Sequence, residues 1–310
     1  MEGNKVENMS KSKTKIDQGL VLDFLKNDFA PDVQTIVPIK DGEISQAFFF
    51  SSGGRELVVR FNPRVKGFEK DKLARGRYNS SQIPIPETLR IGQIDNGLQY
   101  SITERAGGKL VDQFTKDEIR AFLPAMIECL DAIHAMPIGD TKFGDWDADG
   151  VAKFPTWHRF LEKHTEKFQD YLSKPNEGAL LEPDVAETIL ARYQTLLDAC
   201  PEERKLVHAD FGFNNLLSDG QKITGVIDWE LAKYGDFLYD VAWLGFFETE
   251  IDYPGIFKKH YQEKGVAITN FEERILCYQL KFGLGSLSFY SDSGQERSYT
   301  WAKERLLGLL

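Results

Sequence analysis

The segment from Leu206 to Glu230, LVHADFGFNNLLSDGQKITGVIDWE, carries side chains whose types and spacing suit catalysis on phosphates. It contains His208, Asp210, Asn215 and Asp228, and Asp228 directly follows a short apolar run. A carboxylate at the end of a buried strand is costly unless a cation compensates its charge. Two carboxylates and an amide oxygen are hard ligands of the kind that suits Mg²⁺ with bound phosphates. The spacing therefore predicts that a tight loop at Asp210 and a strand end at Asp228 converge on one point.

The order of these residues resembles that of the aminoglycoside phosphotransferase family. His-x-Asp is followed by four residues and Asn, and a strand-borne Asp comes thirteen residues later. The resemblance extends from about Ile16 to the carboxyl terminus and is strongest to the hygromycin B phosphotransferases of that family. The stretches that carry it are DGEISQAFFF, IPIPETLRIGQ, LVHADFGFNN and VIDWELAKYGDFLYDVA. It implies a protein-kinase-like two-lobe α+β fold, with a small antiparallel sheet lobe and a larger, mainly helical lobe.

The resemblance also implies a role for each residue of the segment. Asp210 would orient the acceptor hydroxyl, or accept its proton, for in-line attack on the γ-phosphorus. His208 would fix the backbone of the loop. Asn215 and Asp228 would hold Mg²⁺ that bridges the phosphates of ATP or GTP. Because phosphoryl transfer needs little covalent chemistry from the protein, positioning and charge neutralisation would dominate catalysis.

Two backbone segments of the amino-terminal part would contact the nucleotide. Residues 41–45, DGEIS, resemble a phosphate-covering loop in which backbone amides and the Ser45 hydroxyl cradle anions. The loop has a single glycine, so an ordinary hairpin turn is the alternative interpretation. By the same resemblance, the carbonyl of Glu104 and the amide of Ala106 would bind adenine.

Arg60 is the main departure from the family pattern. It lies in the apolar run Leu57 to Phe61, at a position where kinases usually carry lysine. Arginine stays charged and can bind phosphate with two hydrogen bonds, but its reach differs from that of lysine. We expect Arg60 to pair with Asp71 on the next helix, or else with Glu69. A solvated surface pair is the alternative.

The helical half is expected to select the acceptor, a small cationic hydroxylated molecule. Asn214, Glu230 and Trp243 are candidate contacts, although core packing is the alternative for Trp243. An acid-lined cleft would attract a polycationic aminocyclitol, and a solvated acidic face is the competing interpretation. The acids that could line such a cleft are Asp145, Asp147, Asp149, Glu230, Glu248, Glu250 and Asp252.

Composition disfavours several other classes of protein. The 310 residues carry 38 Lys and Arg against 48 Asp and Glu, a net charge of −10, which disfavours a general nucleic-acid binder. The three cysteines form no CxxC pair or even-numbered disulfide framework. The amino terminus has no apolar signal region, and no run has the roughly 18 apolar residues of a membrane helix, so we expect a cytoplasmic protein.

The pattern of apolar residues divides the chain into three parts. Residues 1–15 are expected to be a disordered tail, 16–105 a nucleotide-binding lobe and 106–310 a catalytic and acceptor-binding helical lobe. Asp236 and Asp240 resemble the family element that supports the catalytic loop, through capping and internal hydrogen bonds. Strands are predicted at 33–39, 46–51, 57–61, 88–94 and 99–103, and helices at 16–28, 67–78, 117–136, 155–172, 181–199 and 271–289. One short β patch is expected within 206–227.

The sequence therefore predicts a small-molecule kinase that phosphorylates a hydroxyl of an aminoglycoside-like antibiotic. A kinase of the same fold that acts on choline, homoserine or a ketoamine sugar is the first alternative, because the acceptor site and not the fold sets the function. An inactive nucleotide-binding scaffold is a second alternative, suggested by Arg60 and the single-glycine loop. A protein kinase is disfavoured, since no activation segment follows Asp228.

Overall fold

The computed structural model describes residues 16–39, 45–174 and 179–310. The expected tail 1–15 and most of the expected phosphate loop, residues 41–44, lie outside the described residues. The chain divides into two compact units. The first comprises the described residues up to Lys72 together with Pro86–Ala106, and the second comprises Leu73–Ile85 and Gly107–Leu310.

The first unit is built on a five-stranded antiparallel sheet in the order β1-β2-β3-β5-β4. Its strands are β1 (Ile36–Ile39), β2 (Gln46–Ser52), β3 (Arg55–Asn62), β4 (Thr88–Gln93) and β5 (Gln99–Glu104). Apolar side chains alternate along β3, and Leu57, Val59 and Phe61 are buried in the core. All five strands lie where the sequence predicts them, with ends that differ by three residues at most, and the two-residue period is clear in β3.

Helices of the first unit differ slightly from the prediction. Helix α1 (Gln18–Phe24) begins at Asp17, whose side chain accepts hydrogen bonds from the amides of Gly19 and Leu20. It continues as a π-helical turn, Leu25–Phe29, instead of a regular helix. Helix α2 (Lys66–Tyr78) follows β3, and its residues from Leu73 onward belong to the second unit.

The second unit is mainly helical. Its helices are α3 (Lys116–Ala135), α4 (Trp157–Ser173), α5 (Pro183–Gln194), α6 (Leu238–Phe247), α7 (Tyr253–Glu263), α8 (Phe271–Asp292) and α9 (Glu296–Leu307). Helix α3 begins with a reciprocal cap, in which Thr115 and Glu118 each bond the other's backbone amide. The large buried rings of Trp146, Trp157 and Trp229 lie in its core. None of the described helices combines the length and apolarity needed to cross a bilayer.

Two small sheets complete the second unit, where the sequence predicts one β patch. The first has the order β11-β10-β6 and the second the order β8-β7-β12-β9. Their strands are β6 (Lys109–Leu110), β7 (Phe143–Trp146), β8 (Ala152–Phe154), β9 (Lys205–Val207), β10 (Leu216–Ser218), β11 (Ile223–Val226) and β12 (Lys233–Gly235). The expectation of a single patch is wrong because strands of two to four residues are too short to display a period of two.

Candidate active site

A β-hairpin brings Asn215 and Asp228 to the same end of the second unit's three-stranded sheet. Strands β10 and β11 are antiparallel, with Leu216 opposite Val226. Asn215 immediately precedes β10, and the amide of Ile227 donates to its carbonyl oxygen at 3.0 Å. Asp228 is the next residue, so the register of the hairpin places it beside the end of the Asp210–Asn215 loop.

The side chain of Asn215 closes that loop. Its amide nitrogen donates to the carbonyl oxygen of Asp210 at 2.9 Å and to the carboxylate Oδ2 of Asp210 at 2.8 Å. Asn215 is buried and Asp210 is half-buried. Because both bonds use the nitrogen end of the amide, the oxygen end is oriented away from Asp210, as a metal ligand would need to be.

The two carboxylates lie close enough to influence each other's charge. Burial, and next the charge of Asp228, raise the pKa of Asp210 to about 8, whereas the hydrogen bond from Asn215 and the charge of Lys233 act in the opposite direction. A divalent cation would relieve this repulsion, and the hard oxygens of Asn215 and Asp228 are suitable ligands for Mg²⁺. Within the described ranges, no three His, Cys, Asp or Glu side chains cluster as a metal site. The residues fit a metal that takes its remaining ligands from water and nucleotide phosphates.

Two residues of the site adopt left-handed backbone conformations. Ala209 has a φ of 65° and Asp228 a φ of 63°, which non-glycine residues seldom adopt. The buried carboxylate of Asp240 on α6 accepts hydrogen bonds from the amides of His208 and Ala209, at 3.0 and 2.6 Å. Such strained residues persist where the surroundings hold them in place. Asp240 therefore fixes the backbone directly before Asp210, in the supporting role that its sequence motif implies.

His208 links the loop to the hairpin. Its Nε2 donates to the carbonyl oxygen of Ile227 at 3.1 Å, one residue before Asp228. The ring is buried and packs against Trp229 with the centroids 4.7 Å apart. His208 therefore bonds to the backbone that precedes Asp228, and its expected role in holding the loop stays a prediction.

Asp236, the other acid of this motif, contacts a different part of the unit. Its carboxylate accepts hydrogen bonds from Arg274 and Tyr278 on α8, and from the amide of Leu238 at the start of α6. It anchors α6 to α8, whereas Asp240 contacts the catalytic loop.

In the first unit, Arg60 forms the expected ion pair with Asp71. The Arg60 side chain is 21% exposed and that of Asp71 10%, so the pair is more buried than an ordinary surface pair. The guanidinium also lies 5.2 Å from the ring centroid of Phe68. Ser45 accepts a hydrogen bond from Asn62 Nδ2 at 2.9 Å, which ties the described end of the loop to β3.

The proposed adenine-binding segment follows the last hydrogen bonds of the sheet. The Glu104 amide donates to the carbonyl of Glu87 at 2.9 Å, and the Arg105 amide donates to Glu56 at 3.0 Å. The Glu104 side chain pairs with Arg55 on β3. Ala106 is the last residue of the first unit.

Asn214 lies in the catalytic loop of the second unit, Trp243 lies against it, and Glu230 follows Asp228 by two residues. Asn214 is exposed, and Glu230 and Trp243 are half-buried. A Cβ placed on Gly212 would lie 3.6 Å from the Trp243 indole nitrogen, so this ring borders the loop two residues after Asp210. Trp243 also packs on Phe247 and Phe282, with centroids 4.2 and 5.1 Å away.

Most of the acids proposed to line a cleft are engaged elsewhere. Asp145 pairs with Lys233 at 3.3 Å, and Glu250 pairs with Lys116 at 2.7 Å. Asp147 accepts hydrogen bonds from backbone amides of its own loop. Asp252 caps α7 by accepting from the amide of Gly255. These contacts favour the solvated or structural interpretation of the acidic residues.

Sequence reasoning missed three residues that contact α6, the helix that carries Asp240. His134 on α3 donates from Nε2 to the Asp240 carboxylate at 3.0 Å, and Lys233 and Lys281 both approach Tyr239. A buried Asp in an apolar helix signals the need for such a donor. The identity of the donor depends on tertiary contacts that no local pattern contains.

The fold and the site define a class, the small-molecule phosphotransferases with a protein-kinase-like architecture. The model of the phosphotransferase enzyme family, APH, matches residues 35–266, and the chain belongs to this family. It is 32% identical over 288 residues to hygromycin-B 4-O-kinase of Escherichia coli, covering 88% of this chain and 80% of that protein.

Solved structures agree with this assignment. A ternary complex of a thermostable mutant of aminoglycoside phosphotransferase APH(4)-Ia with AMP-PNP and hygromycin B is 30% identical, with a TM-score of 0.80 over 93% of this chain and 97% of that one. The GDP complex of aminoglycoside 2'-phosphotransferase-IIIa is 15% identical, with a TM-score of 0.68 over 95% and 98% of the two chains. The second likeness concerns the fold alone.

Proposed function

We propose that this protein transfers the γ-phosphate of a nucleoside triphosphate, ATP or GTP, to a hydroxyl of an aminoglycoside antibiotic of the hygromycin B type. The observation that carries the proposal is the convergence of Asp210, Asn215 and Asp228 on one end of a hairpin. The likeness to a hygromycin-B kinase, and to a structure with hygromycin B bound, supports the choice of acceptor. Since this reaction uses cytoplasmic nucleotides, we also propose a cytoplasmic location.

In this mechanism, Asp210 orients the acceptor hydroxyl and receives its proton as the oxygen attacks the γ-phosphorus, while the bond from that phosphorus to the β-phosphate oxygen breaks and the nucleoside diphosphate leaves. Asn215 holds the Asp210 carboxylate by the 2.8 Å hydrogen bond, and Asn214, Glu230 and Trp243 contact the acceptor. Asn215 and Asp228 would hold Mg²⁺, which would neutralise charge on the phosphates. His208 and Asp240 keep the loop in place.

We assign nucleotide binding to the first unit. Ser45 would contact the phosphates, and the backbone of Glu104 and Ala106 would bind the adenine or guanine base. Arg60, positioned by Asp71, would bind phosphate oxygens in place of the usual lysine. A guanidinium keeps its charge and offers several donors, so the departure from lysine is compatible with phosphate binding.

Replacement of Asp210 by Ala tests the proposed function. We expect turnover of hygromycin B in a nucleotide-consumption assay to fall by about 10³-fold or more, because both positioning and proton acceptance are lost. Nucleotide binding should stay nearly unchanged. Asp219→Ala, in the exposed loop after β10, is the matched control and should keep normal turnover. Normal turnover by Asp210→Ala would remove Asp210 from the mechanism.

A metabolite kinase is the second candidate. It is favoured by the ion pairs of Asp145 and Glu250, since acids already neutralised by lysines attract a polycation less. A screen of the wild-type protein against hygromycin B, other aminoglycosides, choline, homoserine and ketoamine sugars separates the candidates. Turnover of a metabolite with no turnover of any aminoglycoside would favour this second function.

A further inference from the structure

The imidazole of His134, in the last turn of α3, contacts the carboxylate that holds the catalytic loop. Its Nε2 lies 3.0 Å from Oδ2 of Asp240, and both side chains are buried. The amides of His208 and Ala209 donate to the same carboxylate, so its oxygens act as acceptors and Nε2 carries the hydrogen. His134 thus adds a side-chain donor to a group that already binds the loop backbone.

The three donors divide between the two oxygens of Asp240. Oδ1 accepts from the amide of Ala209 at 2.6 Å, whereas Oδ2 accepts from both the amide of His208 and the ring of His134. The terminal torsion of an aspartate is soft, so its oxygens rotate readily unless several donors hold them. His134 therefore restricts the rotation of the carboxylate on which both loop amides depend.

The second ring nitrogen of His134 indicates which contact of the ring is favourable. Nδ1 is buried and has no hydrogen-bond partner among the residues that the structure describes. An unpaired buried nitrogen is unfavourable, so the polar interaction that favours histidine at this position is the bond from Nε2. The ring also packs beside Phe237, with the centroids 5.6 Å apart, and this packing limits its movement.

The backbone next to Asp210 depends on the orientation of Asp240. Ala209 directly precedes Asp210 and has a left-handed φ of 65°. A residue other than glycine keeps such a conformation only while its surroundings hold it. Since Asp240 binds the amide of Ala209, a rotated carboxylate would let this residue relax and would displace Asp210. Helix α3 also packs against β9, the strand that leads to the loop.

We propose that His134 is a positioning residue for phosphoryl transfer. It acts through Asp240, because the bond from Nε2 holds the carboxylate in the orientation that fixes the amides of His208 and Ala209, and thereby the direction of the Asp210 side chain. The effect on turnover rests on the proposed function, whereas the effect on the loop backbone is independent of the acceptor. Misplacement of a catalytic group lowers kcat more than it lowers substrate affinity.

A second histidine–aspartate pair of the same unit provides a matched control. His260 on α7 and Asp131 on α3 are joined through Nε2 and Oδ2, which lie 2.8 Å apart, and both residues are half-buried. The other ion-pair partner of Asp131 is Lys264, an exposed residue, where Asp240 binds backbone amides of the loop. Loss of the His260 ring therefore removes the same kind of hydrogen bond without changing the support of Asp210.

Steady-state kinetics and hydrogen–deuterium exchange test the inference on His134→Phe, His134→Gln and His260→Phe. Phenylalanine keeps a ring but has no donor, and glutamine carries an N–H at a reach similar to that of Nε2. We expect kcat for hygromycin B to fall about tenfold in His134→Phe, with the KM of both substrates unchanged, and to stay within about threefold of the wild type in His134→Gln. The amides of His208 and Ala209 should exchange about tenfold faster in His134→Phe and at nearly the wild-type rate in the other two variants.

The outcomes separate this inference from the proposed function. Wild-type kcat and exchange in His134→Phe would overturn the role of His134. Equal losses in His134→Phe and His134→Gln would also overturn it, because the ring and not its donor would then be responsible. A wild type that turns over no aminoglycoside would overturn the proposed function, and the exchange rates would still decide the role of His134. Should His134→Phe not fold, His134→Asn takes its place, since its shorter amide does not reach Asp240.

Discussion

Asp240 on α6 and Lys281 on α8 are ionisable groups of the same unit, and the protein compensates their charges to very different degrees. The Asp240 carboxylate is fully buried and accepts three hydrogen bonds, from His208, Ala209 and His134. The Lys281 ammonium has one hydroxyl, three ring faces and a neighbouring lysine.

The difference lies in how fully hydrogen bonds and opposite charge compensate each group. A buried charge with a full set of partners specifies one backbone arrangement and is destabilising only when a partner is removed. A half-buried charge that forms no ion pair with a described residue, such as that of Lys281, is destabilising in the folded state because burial and a neighbouring lysine outweigh the attraction of Asp145. Variants at these two positions should therefore have opposite effects on folding.

The largest effect is expected for Asp240→Asn. The amide group keeps the shape of the carboxylate, but its NH₂ must face a backbone N–H or the His134 ring, which leaves buried donors unpaired. We expect a loss of about 3 kcal/mol in the free energy of unfolding and a fall in kcat of about 100-fold, because the loop before Asp210 relaxes. Denaturant unfolding and steady-state kinetics would measure the two effects.

The control for this variant is Asp219→Asn. Asp219 also accepts two backbone amides, those of Gln221 and Lys222, but in an exposed loop. Equal losses of stability in Asp219→Asn and Asp240→Asn would contradict the argument that burial of the hydrogen-bonded carboxylate makes the difference.

Arg60→Lys should have an intermediate effect, since the Arg60–Asp71 pair is neither fully buried nor exposed. Lysine can retain the charge but not the planar set of donors. If Arg60 binds phosphate, we expect the KM of the nucleotide to change by about tenfold. This factor corresponds to the free energy of one charge-assisted hydrogen bond. Arg55→Lys, whose pair with Glu104 is exposed, should leave that KM unchanged. Equal nucleotide KM values for the wild type, Arg60→Lys and Arg55→Lys would indicate that Arg60 has only a structural role.

The same contrast explains how far the sequence could predict the site. Asp210, Asn215 and Asp228 lie within 19 residues, so local spacing and one hairpin suffice to bring them together. Asp240 is close to Asp228 in sequence and lies in a recognisable motif. His134 is 106 residues from its partner Asp240, and Lys281 is 42 residues from Tyr239. Contacts at such separations depend on helix packing, which a pattern of residue types does not specify.

The fold shows the same limit. Long amphipathic helices such as α3 were predictable from their period, and the strands of the first unit were predictable from short apolar runs bounded by turn residues. Helix α6 was not predicted, because it is apolar on nearly all sides and only two of its ten residues, Trp243 and Phe247, are half-buried. A helix without a polar face carries no period to detect. This helix supplies both Asp240 and Trp243, so the element that supports the loop was the one hardest to predict.

The smallest effect, and the one of opposite sign, is expected for Lys281→Met. The folded protein lowers the pKa of Lys281 to about 7, whereas the unfolded chain keeps the ordinary value near 10.5. Between these values the unfolded state binds the extra proton, so Lys281 makes stability rise with pH. Its destabilising effect is complete below pH 7 and is lost as the pH rises toward 10.5.

Methionine removes the charge and keeps an apolar stem against the rings, so the variant should melt about 2 °C higher than the wild type at pH 6. The gain should shrink toward pH 9 in thermal unfolding scans, and Lys163→Met should show neither change. A lower melting temperature for Lys281→Met at pH 6 would mean that the ammonium is stabilised by its surroundings, and the contrast with Asp240 would no longer hold.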